Sequence, residues 1–351
     1  MLPISYLTPA SRPARRQLAN EKKIAALLQR GGVPCAYRAR VRAPQADVLT
    51  FDLCDPYAGK KLDRAVAAIS GVFGAPILSE TVPGGFSLLV PAEREGVNLA
   101  DALGRADLAP DGLFADLGVS ITGRAVGIRI DRAPHVLIAG STGSGKSVAL
   151  NTLISSLALR YTSQELRLSM IDPKRVELAQ FSALPHMARP TATTTADVAE
   201  LLRDALGAIE ERYKLMQARG VRDSDALRLP RHVIVIDELA DLMLQDRQAV
   251  EPLIVRIAQI GRAAGYHLLV ATQRPSADVL TGLISANIPC RVALKVTKYT
   301  ESVVILGKAG AEKLLGRGDA LVRLPDSVAP VRVQCAYTPD ADIYKIVRAA
   351  R

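Results

Sequence analysis

The run Gly140, Ser141, Thr142, Gly143, Ser144, Gly145, Lys146, Ser147 satisfies G-x-x-x-x-G-K-[ST] at every fixed position. Its three glycines let the backbone turn successive N–H groups toward anionic oxygens. The helix expected over Ser147 to Leu159, entered through Val148, adds the positive end of its dipole. Lys146 is placed to neutralise β- and γ-phosphate charge, and the Ser147 hydroxyl to ligate Mg²⁺. A second run, His232 to Ile236 followed by Asp237 and Glu238, is an apolar strand ending in two acids. Asp237 is expected in the Mg²⁺ shell, and Glu238 as the general base that orients and deprotonates a water. The chemistry such a pair of motifs would do is hydrolysis of ATP. A chance glycine turn and a solvated strand end are the plain alternatives, and each loses force beside the other motif.

A third apolar run, His267 to Ala271, leads into Thr272, Gln273, Arg274 and Pro275. Gln273 is placed at the same sheet edge, where it can sense a γ-phosphate or position a water. Arg262 closes an expected helix marked by Leu253, Ile254, Ile257 and Ile260. It can reach a neighbouring subunit's ATP as an arginine finger, although a surface salt bridge explains it as well. The four histidines, His135, His186, His232 and His267, show no ligand spacing and read as structural.

These residues need a scaffold. From Pro134 onward, short apolar runs (135–139, 166–171, 232–236, 267–271, 290–296) alternate with helical stretches. The longest, 197–218, carries an apolar stripe of Val198, Leu201, Leu202, Leu206, Ile209, Tyr213 and Met216. Continuously apolar strands separated by helices predict a mainly parallel central sheet covered on both faces. Ahead of it, residues 21–131 read as a smaller α+β module. It has a helix at 21–30, strands at 48–53 and 86–90 and a helix at 62–72, and no catalytic constellation. Residues 1–20 read as a flexible leader.

Of the 351 residues, 49% are apolar and 23% charged, which excludes a disordered chain. No apolar run approaches membrane-spanning length, and no secretory signal is present. Cys35, Cys54, Cys290 and Cys335 are widely spaced, which points to reduced thiols and a cytoplasmic protein. The net charge of +10 is concentrated: residues 1–42 hold nine basic side chains against one acid. Such an arm attracts nucleic acid or an anionic membrane; the bland reading is a solubilising tail. Aromatic residues make up only 4%, and tryptophan is absent. That argues against base-stacking platforms, so phosphate contacts should dominate with a nucleic-acid partner.

The stretch from Gly140 to Ala336 resembles the motor domain of the FtsK/SpoIIIE family of double-stranded DNA translocases. The matching strings are G-S-T-G-S-G-K-S-V (140–148), I-D-P-K (171–174), E-R-Y-K-L-M (211–216) and V-I-D-E-L-A-D-L-M (235–243). They continue with R-A-A-G-Y-H-L (262–268), A-T-Q-R-P-S-A-D-V (271–279), A-N-I-P (286–289) and A-E-K-L-L-G-R-G-D (311–319). The resemblance implies a RecA-like P-loop NTPase, residues 132–351, forming a homo-oligomeric ring, a hexamer, around duplex DNA. It implies Arg262 as finger, Gln273 as sensor and residues 31–131 as the family's smaller α domain, with 1–30 as leader and linker helix. The family's long membrane anchor and C-terminal winged-helix module are not seen in this sequence. The DNA-facing loops look poor in charge: Ser285 stands where members often carry Lys, and Tyr299 to Val303 replace K-x-D-S-R. Arg274, Lys295, Lys298 and Arg291 can substitute. The expected function is ATP-driven DNA translocation in segregation or transfer, mobile-element or phage-encoded, with membrane or DNA-transfer partner proteins. A ring ATPase driving protein secretion and a nucleotide-controlled scaffold without turnover are the alternatives.

Overall fold

The computed structural model describes residues 7–10, 20–42, 46–74, 77–91, 96–103, 112–121, 123–327 and 329–350. Most of the leader, including Arg12, Arg15 and Arg16, lies outside the described residues. The chain divides into two units: residues 10–97 with 119–124, and residues 1–9, 98–118 and 125–351.

The smaller unit is a four-stranded sheet carrying two helices. Its elements are α1 (Glu21–Arg30), β1 (Cys35–Arg42), β2 (Ala46–Leu53), α2 (Gly59–Phe73), β3 (Leu78–Val82) and β4 (Gly85–Pro91), with strand order β1-β2-β4-β3. Asn20 caps α1 by accepting from the Lys22 and Lys23 N–H groups. Ile24, Leu28, Leu62, Val66 and Ile69 bury against Leu49, Phe51, Phe86 and Leu88. β1 is mostly exposed and rich in arginine, which hides it from a periodicity reading. It is held by seven antiparallel pairs to β2 and by the ion pairs Arg38–Asp52 and Arg40–Asp47. Part of the basic charge of residues 1–42 is thus neutralised inside this unit.

The larger unit contains α3 (Leu99–Leu103), β5 (Phe114–Ser120), β6 (Ala125–Arg129), β7 (His135–Ala139), α4 (Lys146–Arg160) and β8 (Leu166–Ile171). It continues with α5 (Thr195–Arg219), β9 (Arg231–Ile236), α6 (Leu239–Ile260), β10 (Tyr266–Thr272) and α7 (Gly282–Asn287). The last elements are β11 (Cys290–Leu294), α8 (Tyr299–Leu306), β12 (Asp319–Arg323), β13 (Val331–Cys335) and α9 (Asp340–Ala349). Its nine strands run in the order β6-β5-β13-β12-β11-β7-β10-β9-β8. Five of them, β8, β9, β10, β7 and β11, pair in parallel, and β12 and β13 extend the sheet antiparallel. β7 divides its side chains between the two faces. Val136 and Ile138 pack with Leu150, Leu153, Leu157 and Ile346; Leu137 and Ala139 pack with Leu202, Ile209, Leu242 and Ile254. Burying each such aliphatic side chain stabilises the fold by roughly 1.5–3 kcal/mol.

β5 and β6 fall within the 31–131 module of the sequence reading, yet they belong to the nine-stranded sheet. The cause is visible in β5, where Ala115, Leu117 and Val119 are fully buried and Leu117 O accepts the Ala336 N–H at 2.8 Å. Asp116, also buried, receives Arg160 through Nε and Nη2 at 2.6 and 2.9 Å and the Ser156 hydroxyl at 2.7 Å, which ties β5 to α4. The helix expected only around 253–260 begins at Leu239 and bends at Asp246, whose backbone leaves helical angles. Asp246 Oδ1 accepts the Ala249 N–H and restarts it.

Candidate nucleotide site

All five parallel strands present their carboxyl ends at one edge, and the residues nominated for phosphate, metal and water, Lys146, Ser147, Asp237, Glu238 and Gln273, follow those ends. After β7 the chain turns through Gly143 (φ 75°) and Gly145 (φ 102°), both left-handed. A Cβ on Gly145 would stand 2.5 Å from Gly318 N, whereas Gly143 faces open space. Three backbone bonds brace the loop: Gly140 N to Thr272 O, Ser141 N to Lys295 O and Gly318 N to Ser144 O, at 3.3, 2.9 and 2.7 Å. Helix α4 starts at Lys146 with no side-chain cap. Among the described residues, the N–H groups of Gly143, Gly145, Lys146, Ser147 and Val148 find no acceptor. A ring of unpaired donors at a helix start is an anion cradle.

Lys146 Nζ lies 2.7 Å from both Asp237 O and Asp237 Oδ1, with both side chains buried. An ammonium has three protons, so one remains for a phosphate oxygen. Glu238 caps α6 and is 2% exposed. Its Oε1 accepts from Thr272 Oγ1 at 2.7 Å, Gln273 N at 3.1 Å and Ala240 N at 3.3 Å; Oε2 accepts only Gln273 N, at 2.9 Å. That leaves Oε2 the freer oxygen for a water. Gln273 Oε1 accepts from Thr142 Oγ1 at 3.1 Å, linking the end of β10 to the phosphate loop. Two partners were not evident from sequence. Ser147 Oγ donates to Glu177 Oε1 at 2.8 Å, and Lys174 pairs with Asp241 at 3.1 Å, a bond that raises its pKa.

Among the described residues no group of three or more His, Cys, Asp or Glu side chains is placed to hold a metal alone. Ser147 and Asp237 fit Mg²⁺ as donors that act together with phosphate oxygens. ATP fits the cradle of free N–H groups on its phosphate side.

Arg262 stands apart. It follows α6 and precedes β10, at the amino edge of the sheet, opposite Lys146. It is exposed, with no ion-pair partner among the described residues. Its loop is held by Arg212, whose guanidinium donates to Ala264 O and Pro230 O at 2.7 Å each. Burial lowers the pKa of Arg212, and it lies over the Tyr266 ring.

Of the nominated DNA contacts, Arg274, Lys295 and Lys298 are exposed. The Ser285 hydroxyl instead donates to Leu280 O at 3.2 Å. Arg291 is half-buried and donates to the carbonyls of Ile288, Ile305 and Ser285. It therefore fastens α7 and α8 to β11 instead of offering a free charge. His135, His232 and His267 lie at strand starts, where desolvation lowers them to about 3, about 3 and about 4, and His186 lies in a turn, its pKa also lowered by burial. All four cysteines are free, and burial pushes Cys290 and Cys335 up to about 12.

Fold and site together define a RecA-like P-loop NTPase. The chain belongs to the FtsK/SpoIIIE family, whose sequence profile matches residues 104–230 and 223–277. It is 43% identical over 251 residues to DNA translocase FtsK of Bacillus cereus, a match covering 67% of this chain and 32% of that protein. It is 40% identical over 305 residues to DNA translocase SpoIIIE of Bacillus subtilis, covering 82% and 38%. The chain thus spans about a third of the length of the curated relatives it matches. Among solved structures, the pCW3 conjugation coupling protein TcpA, in its monomer form with ATPγS, superposes over 94% of this chain and 99% of that one. The TM-score is 0.65 at 22% identity, a likeness of fold. No helix among the described residues is long and apolar enough to cross a membrane.

Proposed function

We propose that the chain is an ATP-hydrolysing motor that moves double-stranded DNA through a ring of its own copies, six by family likeness, in DNA segregation or transfer. The observation that carries this reading is the buried meeting of Lys146 with Asp237, beside Glu238 and beneath the unpaired N–H groups. It occurs in a family whose matched members are named DNA translocases.

The backbone donors of Gly143 and of Gly145 to Val148, with the third proton of Lys146, hold the phosphates. Ser147 and Asp237 would hold Mg²⁺, which would supply charge neutralisation at the phosphates. Glu238 Oε2 orients the attacking water and accepts its proton, while Gln273 senses the terminal phosphate through the end of β10. Arg262, at the opposite edge, serves a neighbouring copy's site, so turnover depends on assembly. Arg274, Lys295 and Lys298 contact DNA phosphates, which fix register without reading sequence.

The test is the ATPase rate with and without linear duplex DNA, with particle size followed in the same samples. Hydrolysis stimulated by duplex in a multi-copy particle is expected. Lys146→Ala should lose nucleotide binding. Glu238→Gln should keep binding but lose about 10²–10⁴-fold in rate. Hydrolysis indifferent to duplex would transfer the reading to a polypeptide-moving motor, and absence of hydrolysis would leave a scaffold.

A further inference from the structure

Ser147 is the one residue of the phosphate-binding run whose hydroxyl meets a carboxylate. It donates to Glu177 Oε1 at 2.8 Å. Glu177 arrives from the loop after β8, and that loop is anchored on several sides. Buried Asp172 accepts the Leu178 N–H through Oδ2 at 3.1 Å. Its carbonyl accepts the Arg175 N–H at 3.1 Å, Arg175 sits at φ 58°, and Lys174 pairs with Asp241. A non-glycine residue in the left-handed region is strained, so the loop accepts some strain while delivering Glu177 to Ser147. Glu177 is half-buried and has no cationic partner among the described residues.

A hydroxyl has one proton and two acceptor lone pairs. With its proton directed to a carboxylate, Ser147 turns its lone pairs away from Glu177, and the negative acceptor raises electron density on Oγ. Carboxylates behind a metal ligand orient and strengthen it in this way. We propose that Glu177 is the positioning residue of the Mg²⁺ site: by accepting the hydrogen bond of the Ser147 hydroxyl it presents the Oγ lone pairs to a metal ion. The proposal rests on residues 140–147 being the nucleotide site. The competing role for Glu177 is a staple that only closes the 172–178 loop.

The experiment follows binding of a fluorescent, non-hydrolysable ATP analogue to the full chain across a Mg²⁺ titration, with melting temperatures for every variant. Glu177→Ala should raise the Mg²⁺ concentration for half-saturation about tenfold or more while leaving metal-free affinity unchanged. Glu177→Gln, which keeps an acceptor oxygen, should recover part of that loss. In a Ser147→Ala background, Glu177→Ala should add nothing. A metal-free affinity that falls as far as the metal-dependent one would overturn the proposal in favour of the staple. An equal Mg²⁺ shift with and without Ser147 would overturn it too. If Lys146→Ala loses the analogue but Glu177→Ala matches wild type at every Mg²⁺ concentration, this proposal alone fails. If Lys146→Ala binds like wild type, the nucleotide site itself is misplaced and the proposal falls with it.

Discussion

The Glu238 carboxylate is held by more donors than any other acid at the candidate site, three in all, with the Gln273 N–H shared between Oε1 and Oε2. Thr272 supplies the shortest of these from a buried position at the end of β10. Thr272→Val keeps shape and removes that donor together with the acceptor of the Arg274 N–H at 3.1 Å. Losing a hydrogen bond to a buried charged group costs about 1.5–3 kcal/mol, so the melting temperature should fall. Steady-state kinetics should show a kcat loss of about tenfold with nucleotide affinity unchanged, because Thr272 orients the base and touches no phosphate in this reading; a change confined to affinity would remove Thr272 from that role. Lys146, Asp237 and Glu238 were readable in the sequence because phosphate chemistry fixes their type and local spacing. Thr272 and Glu177 were not, since each meets its partner across 34 and 30 residues of chain. Only the strand order, which composition does not encode, decides that meeting. The same limit applies to Arg262, whose string could be recognised while its position at the amino edge could not.

At the scale of elements, the phosphate loop is a turn between β7 and α4 wedged against the Gly316–Gly318 segment. Its two left-handed glycines are not equivalent. Gly145→Ala adds a Cβ 2.5 Å from Gly318 backbone as well as strain at φ 102°, so the loop must shift and both stability and nucleotide binding should fall. Gly143→Ala meets no neighbour and should cost only about 1–2 kcal/mol of backbone strain, with whatever further loss the new methyl causes on the ligand side. Melting temperatures with and without ATP analogue separate the two; equal destabilisation would contradict the contact with Gly318. The parallel strands were readable because burial on both faces demands continuous apolar runs. β12 and β13 were not. Their exposed or charged positions break the run, and they are held instead by antiparallel pairing and the buried Asp319–Arg332 pair at 2.7 Å. β1 escaped for the same reason, its arginines being matched by Asp47 and Asp52 on β2.

Across the whole molecule, the two strongest electrostatic features are its buried histidines and its excess of positive charge. His135, His232 and His267 start adjacent strands of one sheet and hold folded pKa values of about 3, 3 and 4. Desolvation is the first cause at each. Folded values below the unfolded 6.5 mean that the unfolded chain binds protons first. Stability is therefore complete above about pH 6.5 and is lost as pH falls toward 4, by about 2 kcal/mol per histidine at pH 5. Thermal unfolding at pH 7 and pH 5 should show this loss, and replacing His267 with Gln should reduce it. The positive charge acts outward. Arg38 and Arg40 are matched by acids within the smaller unit and Arg291 is tied to carbonyls, whereas Lys295, Lys298 and Arg274 are exposed. Lys295 also adjoins the phosphate loop, because its carbonyl accepts the Ser141 N–H while its side chain stays exposed. Lys295→Gln with Lys298→Gln should weaken duplex binding at low salt and reduce the magnitude of the salt slope by about 1–2 in log–log terms, since each phosphate contact contributes roughly 0.9. DNA-stimulated ATPase should fall in step while basal hydrolysis is retained, because substitution leaves the Lys295 carbonyl in place. An unchanged slope would move the DNA grip elsewhere, with residues 1–20 the next segment to delete.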